Sequence, residues 1–259
     1  MYSDSHCHLD SFSEEQQAWL LEEAARDEIV LMLTTGLDLE TSQASVRIAE
    51  EHPCVYAGIG YHPSEAVPID GDIYGQLAGL TMSEKVVVVS EVGLDFSGQG
   101  APQDAPPREI QEACFRRNVQ LAKELSLPLQ FHIVNAHREA FRILEEEDAF
   151  YLGGAIHEEV ASEADLDLWL GKGYYITVGL RVLRGDVNGR EFAKVVELIP
   201  LERLLLETDA YGAGGQGALI GPAMVKQVAQ KVAEIRGMSP EEIGRITTEN
   251  LRRFLRIKT

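Results

Sequence analysis

The chain has 259 residues, 45% of them hydrophobic, and a formal charge of −19. So negative a chain does not hold nucleic acid mainly through a basic surface, because Lys and Arg against phosphates supply most non-specific affinity; phosphate chemistry at a metal site stays open, since bound cations bring the positive charge there. No run approaches the roughly 18 consecutive apolar residues of a membrane span, and three widely spaced cysteines (Cys7, Cys54, Cys114) make no disulfide framework, so a cytoplasmic protein with reduced thiols and no membrane partner is expected.

The opening Asp4-Ser5-His6-Cys7-His8-Leu9-Asp10 is too polar for a secretory signal and reads as a strand. Asp4, His6 and His8 then share one face, with Ser5, Cys7 and Leu9 on the other. Two imidazoles two residues apart on one face can grip one divalent ion. Ser13-Glu14-Glu15 marks a helix start, and Trp19, Leu20 and Ala24 supply its apolar side. Ile29 to Leu33 is a buried strand, residues 39 to 51 a helix, and Cys54 to Gly60 a third strand that delivers His62. A less regular helix over 70–80 leads to a strand from Val86 to Gly93 carrying Glu91. The Gly-, Pro- and Gln-rich stretch 95–107 is a loop long enough to suggest a function. Then come a helix over 108–125, a strand from Leu129 to Val134, a helix over 137–147 and a strand from Tyr151 to His157. A helix over 163–170, a strand from Tyr174 to Gly179, a helix near 189–198 and a strand from Leu204 to Asp209 follow. Two helices, 222–236 and 240–256, end the chain, the second capped by Ser239.

Eight short apolar strands alternating with helices predict an α/β fold with a parallel sheet. Eight such units in about 210 residues favour a closed (β/α)8 TIM barrel over an open sheet. We expect one domain over 1–259 with an additional C-terminal helix; a Gly-rich phosphate loop is missing, which removes the main support for a Rossmann reading.

Barrel chemistry sits at the C-terminal ends of the strands. Those ends carry His6, His8, His62, Glu91, His132, His157 and Asp209, so five of the seven histidines fall on one rim. Imidazole and carboxylate ligands without a thiolate cluster suit divalent ions such as zinc, manganese, nickel or iron. The set is large enough for two ions that share Glu91 as a bridge, an arrangement suited to displacement at phosphorus or carbon. Asp209 suits two roles, ligand to one ion and acceptor of the nucleophile's proton.

These segments resemble the TatD family of metal-dependent hydrolases, amidohydrolase-like barrels. The similarity runs through Asp4 to Asp10, Gly60-Tyr61-His62-Pro63, Ser90-Glu91-Val92-Gly93-Leu94-Asp95-Phe96, the His132 strand, the Gly-x-x-His ending at His157, Leu206-Glu207-Thr208-Asp209-Ala210, and the closing Met238 to Glu242 and Thr248 to Phe254. The resemblance implies that His6, His8, Glu91 and Asp209 hold one metal, that Glu91, His132 and His157 hold the other, and that His62 approaches the substrate phosphate. It implies two divalent ions (zinc, manganese, magnesium, nickel or iron) and a nuclease or phosphodiesterase acting on DNA or a small phosphoester. Two segments depart from the family pattern. Glu158-Glu159-Val160-Ala161 stands where Cys-Phe-Ser-Gly is common, and Tyr211 and a glycine-rich loop over 212–217 replace a Pro and later Arg-Gly and Asn-x-Pro segments.

On the expected rim the clear basic residues are Arg138, Arg181 and Arg184, the last two candidates for substrate phosphate. Tyr61, Phe96 and Tyr211 could stack on a base or simply pack locally. Glu207 shares Asp209's strand parity and reads as the partner of a ligand histidine, with Asp95 in a similar position. The alternative activity on the same barrel is an amidohydrolase or esterase for a small amide, lactone or aminoacyl ester; a non-catalytic binding protein fits the apparently complete ligand set poorly.

Overall fold

The β-branched and leucine-rich runs pair side by side as parallel strands. The computed structural model describes residues 1–97, 105–157, 162–184, 192–212 and 219–257. Its strands are β1 (Tyr2–His8), β2 (Ile29–Thr35), β3 (Val55–Ile59), β4 (Val86–Asp95), β5 (Leu129–Val134), β6 (Gly154–Ile156), β7 (Tyr175–Val178), β8 (Leu204–Leu206) and β9 (Ala210–Tyr211). Between and after them lie α1 (Glu14–Arg26), α2 (Leu39–Glu51), α3 (Gly71–Leu80), α4 (Arg108–Leu125), α5 (His137–Glu146), α6 (Glu163–Leu170), α7 (Phe192–Leu198), α8 (Val225–Arg236) and α9 (Pro240–Phe254). Among the described residues no helix is long and apolar enough to cross a membrane.

The sheet runs β8-β7-β6-β5-β4-β3-β2-β1-β9. β9 is the continuation of β8: Leu204–Leu206 pairs with β7, and after three residues Ala210–Tyr211 pairs with β1. One stretch of chain thus has β7 on one side and β1 on the other, and this curls the sheet into a barrel. The crossover point is Asp209, whose φ of +49° lies in the left-handed region and whose N–H donates to His6 O at 3.0 Å. Asp4 fastens the same seam from β1. Its Oδ1 accepts the Thr208 N–H at 2.9 Å and its Oδ2 the Thr208 hydroxyl at 2.5 Å. Burial pushes the Asp4 carboxyl up to about 8 despite these bonds.

Strand parity divides the barrel interior into layers. Inward positions nearer the strand starts, Leu31, Leu33, Ala155, Tyr175 and Leu205, join Leu251 and Phe254 of α9 in one apolar cluster. α9 lies across that end, where Asn250 donates to the carbonyls of Leu201 and Leu204 at 2.7 and 2.8 Å. The same parity puts polar side chains at the opposite, C-terminal end of the strands.

Helix starts follow their capping chemistry. Ser13, Asp38 and Ser239 cap α1, α2 and α9, each reciprocated by the residue three positions on, Gln16, Thr41 and Glu242. Three expectations are revised. Trp19 is 47% exposed, because the α1 face defined by Leu20 and Ala24 turns it outward. Tyr151 leaves the predicted sixth strand and sits in a 3-10 turn, Phe150–Leu152, after which Gly153 at φ +73° redirects the chain into β6. The eighth strand stops at Leu206 because its hydrogen bonding then passes from β7 to β1.

Candidate metal centre

All seven rim residues read from the sequence converge. Side chains two residues apart on β1 point into the barrel, so His6 and His8 meet with their Nε2 atoms 3.2 Å apart. β4 brings Glu91 between the two sides of the barrel, and its oxygens divide. Oε2 lies 3.3 Å from His6 Nε2 and 3.5 Å from His8 Nε2. Oε1 lies 2.8 Å from His132 Nδ1, 3.5 Å from His157 Nε2 and 3.6 Å from His62 Nε2. Asp209 closes the β1 side, with Oδ1 3.5 Å from His8 Nε2 and 3.9 Å from His6 Nε2. Among the described residues, His6–His8–Asp209, His6–Glu91–His157 and His62–Glu91–His132 are sets whose ligand atoms lie within 4.8 Å of one another.

The outer partners fix which ring nitrogen faces inward. His8 Nδ1 stands 2.9 Å from the Thr35 carbonyl, an acceptor, so it carries the proton and leaves a lone pair on Nε2. His6 Nδ1 meets the Gln130 amide oxygen at 3.0 Å, with the same result. Two imidazole lone pairs and two carboxylates then face one another, an arrangement that repels unless positive charge lies among them. This donor set fits a divalent cation.

The electrostatics agree. Burial opposes a charged imidazole at His8, yet hydrogen bonds with Asp209 and Glu91 override it and push His8 up to about 10. Against the same cost of burial, Asp95 and Glu91 raise His132 to about 9. Burial would also neutralise Glu91, but its interactions with the imidazoles of His6, His62 and His157 and the hydrogen bond from His132 hold it well below the ordinary carboxylate range. Asp209 follows the same pattern, kept at about 2 despite burial, chiefly by His8. The surroundings therefore favour a positive charge at the cluster's centre, which either protons or a metal supplies.

His62 differs. Its Nδ1 accepts the Ser64 backbone N–H at 3.0 Å, so in the neutral ring the proton sits on Nε2, which points into the cluster. Burial keeps that ring neutral, pushed down to about 3. A protonated Nε2 is a hydrogen-bond donor and not a metal ligand.

Glu207, read from strand parity as a histidine partner, has Oε1 3.0 Å from His157 Nδ1; Asp95 Oδ2 is 3.7 Å from His132 Nε2. Arg181 is half-buried and Arg184 exposed on the 3-10 turn Leu180–Arg184 that follows β7 at the same rim. Tyr61 and Phe96 are each only 8% exposed, and Phe96 is covered by the Arg108 guanidinium at 4.3 Å, so both belong to local packing. Tyr211 is 51% exposed and stands edge-on to His8, ring centroids 5.6 Å apart. Glu158, Glu159 and residues 213–217 lie outside the described residues. The sequence reading missed Gln130 and the Asp4–Thr208 clasp. A signal for Gln130 existed: a lone amide in an apolar strand, on the same face as His132.

Gly93 supports this geometry from the backbone. It pairs with His132 across β4 and β5 at φ +149°, and a Cβ there would stand 2.0 Å from His132 O. Gly93→Ala is expected to cost at least about 2 kcal/mol and to lower Tm by about 5 °C or more, read by thermal unfolding. An unchanged Tm would show that β5 yields freely at that point.

The profile of the TatD related DNase family matches residues 3–256. The chain belongs to that family. It is 33% identical to an uncharacterized metal-dependent hydrolase of Bacillus subtilis, YabD, with 99% of this chain and 100% of that protein covered. It is 30% identical to the 3'-5' ssDNA/RNA exonuclease TatD of a Rahnella strain, over 86% of each chain. The crystal structure of YjjV, a TatD homologue from Escherichia coli, superposes with a TM-score of 0.85 at 26% identity, covering 99% of this chain and 98% of that one. Like other TatD-family members, this chain is a metal-dependent hydrolase built on a TIM barrel.

Proposed function

We propose that the chain is a two-metal phosphodiesterase that trims single-stranded nucleic acid from an end. The observation that carries this reading is Glu91, which turns one oxygen to His6 and His8 and the other to His132 and His157. In this reading His6, His8, Asp209 and Glu91 hold one ion, and Glu91, His132 and His157 hold the second. Zinc and manganese suit these donors best, with nickel, iron and magnesium as the remaining candidates. When bound, such ions supply Lewis-acid charge and make water acidic enough to attack near neutral pH.

The protein's own groups do the rest. Asp209 accepts the proton of the attacking water; it is the cluster carboxylate with access to solvent, at 37% side-chain exposure against 3% for Glu91. His62 donates from Nε2 to a non-bridging phosphate oxygen, a role open to it because Ser64 holds its other nitrogen as an acceptor. Arg181 and Arg184 meet the next phosphate along the strand, and the exposed Tyr211 offers a face for a base. A charge of −19 suits contact with one strand end at a metal centre better than contact with a long duplex. Three free cysteines agree with work in the cytoplasm.

The test is digestion of end-labelled single-stranded DNA and RNA by metal-free and manganese- or zinc-loaded protein. A panel of small phosphodiesters, amides and lactones runs alongside. Stepwise loss of terminal nucleotides, abolished by a chelator and restored by metal, is expected. Turnover of amides or lactones with intact nucleic acid would replace this reading with an amidohydrolase one.

A further inference from the structure

We propose that Gln130 is a positioning residue that sets the tautomer of His6 and so aims its metal-binding nitrogen; this rests on the metal assignment above. Gln130 is fully buried on β5, one inward position below His132. Its amide makes three bonds to two other strands. Nε2 donates to Ser5 O on β1 at 2.9 Å, while Oε1 faces both His6 Nδ1 and the Ser90 hydroxyl at 3.0 Å. The bond to Ser5 decides the amide's orientation, because a carbonyl can only accept. The opposite rotamer would set two oxygens against each other at Ser5.

With the amide fixed, its oxygen demands a proton on His6 Nδ1. The His6 Nε2 lone pair then faces the cluster, 3.3 Å from Glu91 Oε2 and 3.4 Å from the Thr35 hydroxyl. Rotation of the imidazole is also restrained, by the His157 ring stacked on it at 4.0 Å. Gln130 thus does for His6 what the Thr35 carbonyl does for His8 and Glu207 for His157. Of the three it is the only neutral side chain, so it orients its histidine without adding negative charge.

Zinc affinity of metal-free full-length protein, measured by competition with a chromophoric chelator, tests this on wild type, Gln130→Met and Gln130→Glu. Side-chain 15N spectra of zinc-loaded wild type run in parallel. Gln130→Met keeps the volume but offers His6 no acceptor, and zinc affinity is expected to fall about 10- to 100-fold. Gln130→Glu restores an acceptor for His6 while giving up the donor to Ser5, and should recover most of the lost affinity. A merely structural role would weaken both variants alike, since both lose the bond to Ser5. In wild type the His6 signals should show a protonated Nδ1 and a metal-bound Nε2, an observation that stands even if Gln130→Met does not fold. Zinc binding by folded Gln130→Met within about twofold of wild type, or a His6 bound through Nδ1, would overturn the proposal. Wild type that binds no zinc or manganese would instead overturn the metal centre itself.

Discussion

Glu91→Gln is expected to lower kcat/KM on single-stranded DNA by about 10³-fold or more, because the variant loses several kcal/mol of transition-state charge stabilisation. The substitution preserves volume and leaves one oxygen, so it isolates the second anionic oxygen from the space the side chain fills. Glu91 is nearly fully buried and lies within 3.6 Å of five imidazoles, three on Oε1 and two on Oε2. An amide can satisfy only one side. Whichever way it turns, its NH2 group faces either the lone pairs of His6 and His8 or those of the His132 side, and one ion loses its shared ligand. Equilibrium dialysis with zinc should therefore find fewer equivalents bound than in wild type, alongside the fall in rate. Cleavage within about tenfold of wild type, with full metal content, would remove the bridge from the mechanism.

How much of this was legible beforehand depends on the range of the interaction involved. α2 and α4 begin and end where the sequence reading places them, because the pattern that marks a helix is local. The inward pairing of His6 and His8 follows from a period of two, and the same rule brought Glu207 to His157. Gln130 was harder. Its meaning depends on β1 and β5 facing one another across the barrel, 124 residues apart in sequence, and no local pattern carries that. Asp4 was placed on the right face of its strand, but its clasp on Thr208 exists only because the barrel closes there. Trp19, Tyr61 and Phe96 show the reverse limit. An aromatic side chain can pack or bind, and neighbours outside its own element decide which: Arg108 covers Phe96, while Tyr211 is left half open beside His8.

Asp209→Asn should lower kcat by about 10²- to 10⁴-fold, the usual worth of a positioned proton acceptor, with the fold and most of the metal retained. Asp209 sits at φ +49°, a region that Asn occupies as readily as Asp, so the seam between β8 and β1 keeps its shape. Asn also keeps an oxygen that can reach toward His8, 3.5 Å away in the present structure. What it cannot do is take a proton. The loss should therefore appear in kcat at saturating DNA, with KM nearly unchanged, and zinc affinity should fall less than in Glu91→Gln, where two half-sites compete for one oxygen. Single-turnover cleavage of end-labelled DNA at fixed zinc, with dialysis to report the ions bound, separates these effects. If the Asn variant binds its full complement of zinc and cleaves within about tenfold of wild type, Asp209 is a ligand only. The proton must then leave the attacking water by another path, and that path is not His62, whose Nε2 already carries a proton while its Nδ1 accepts the Ser64 N–H at 3.0 Å.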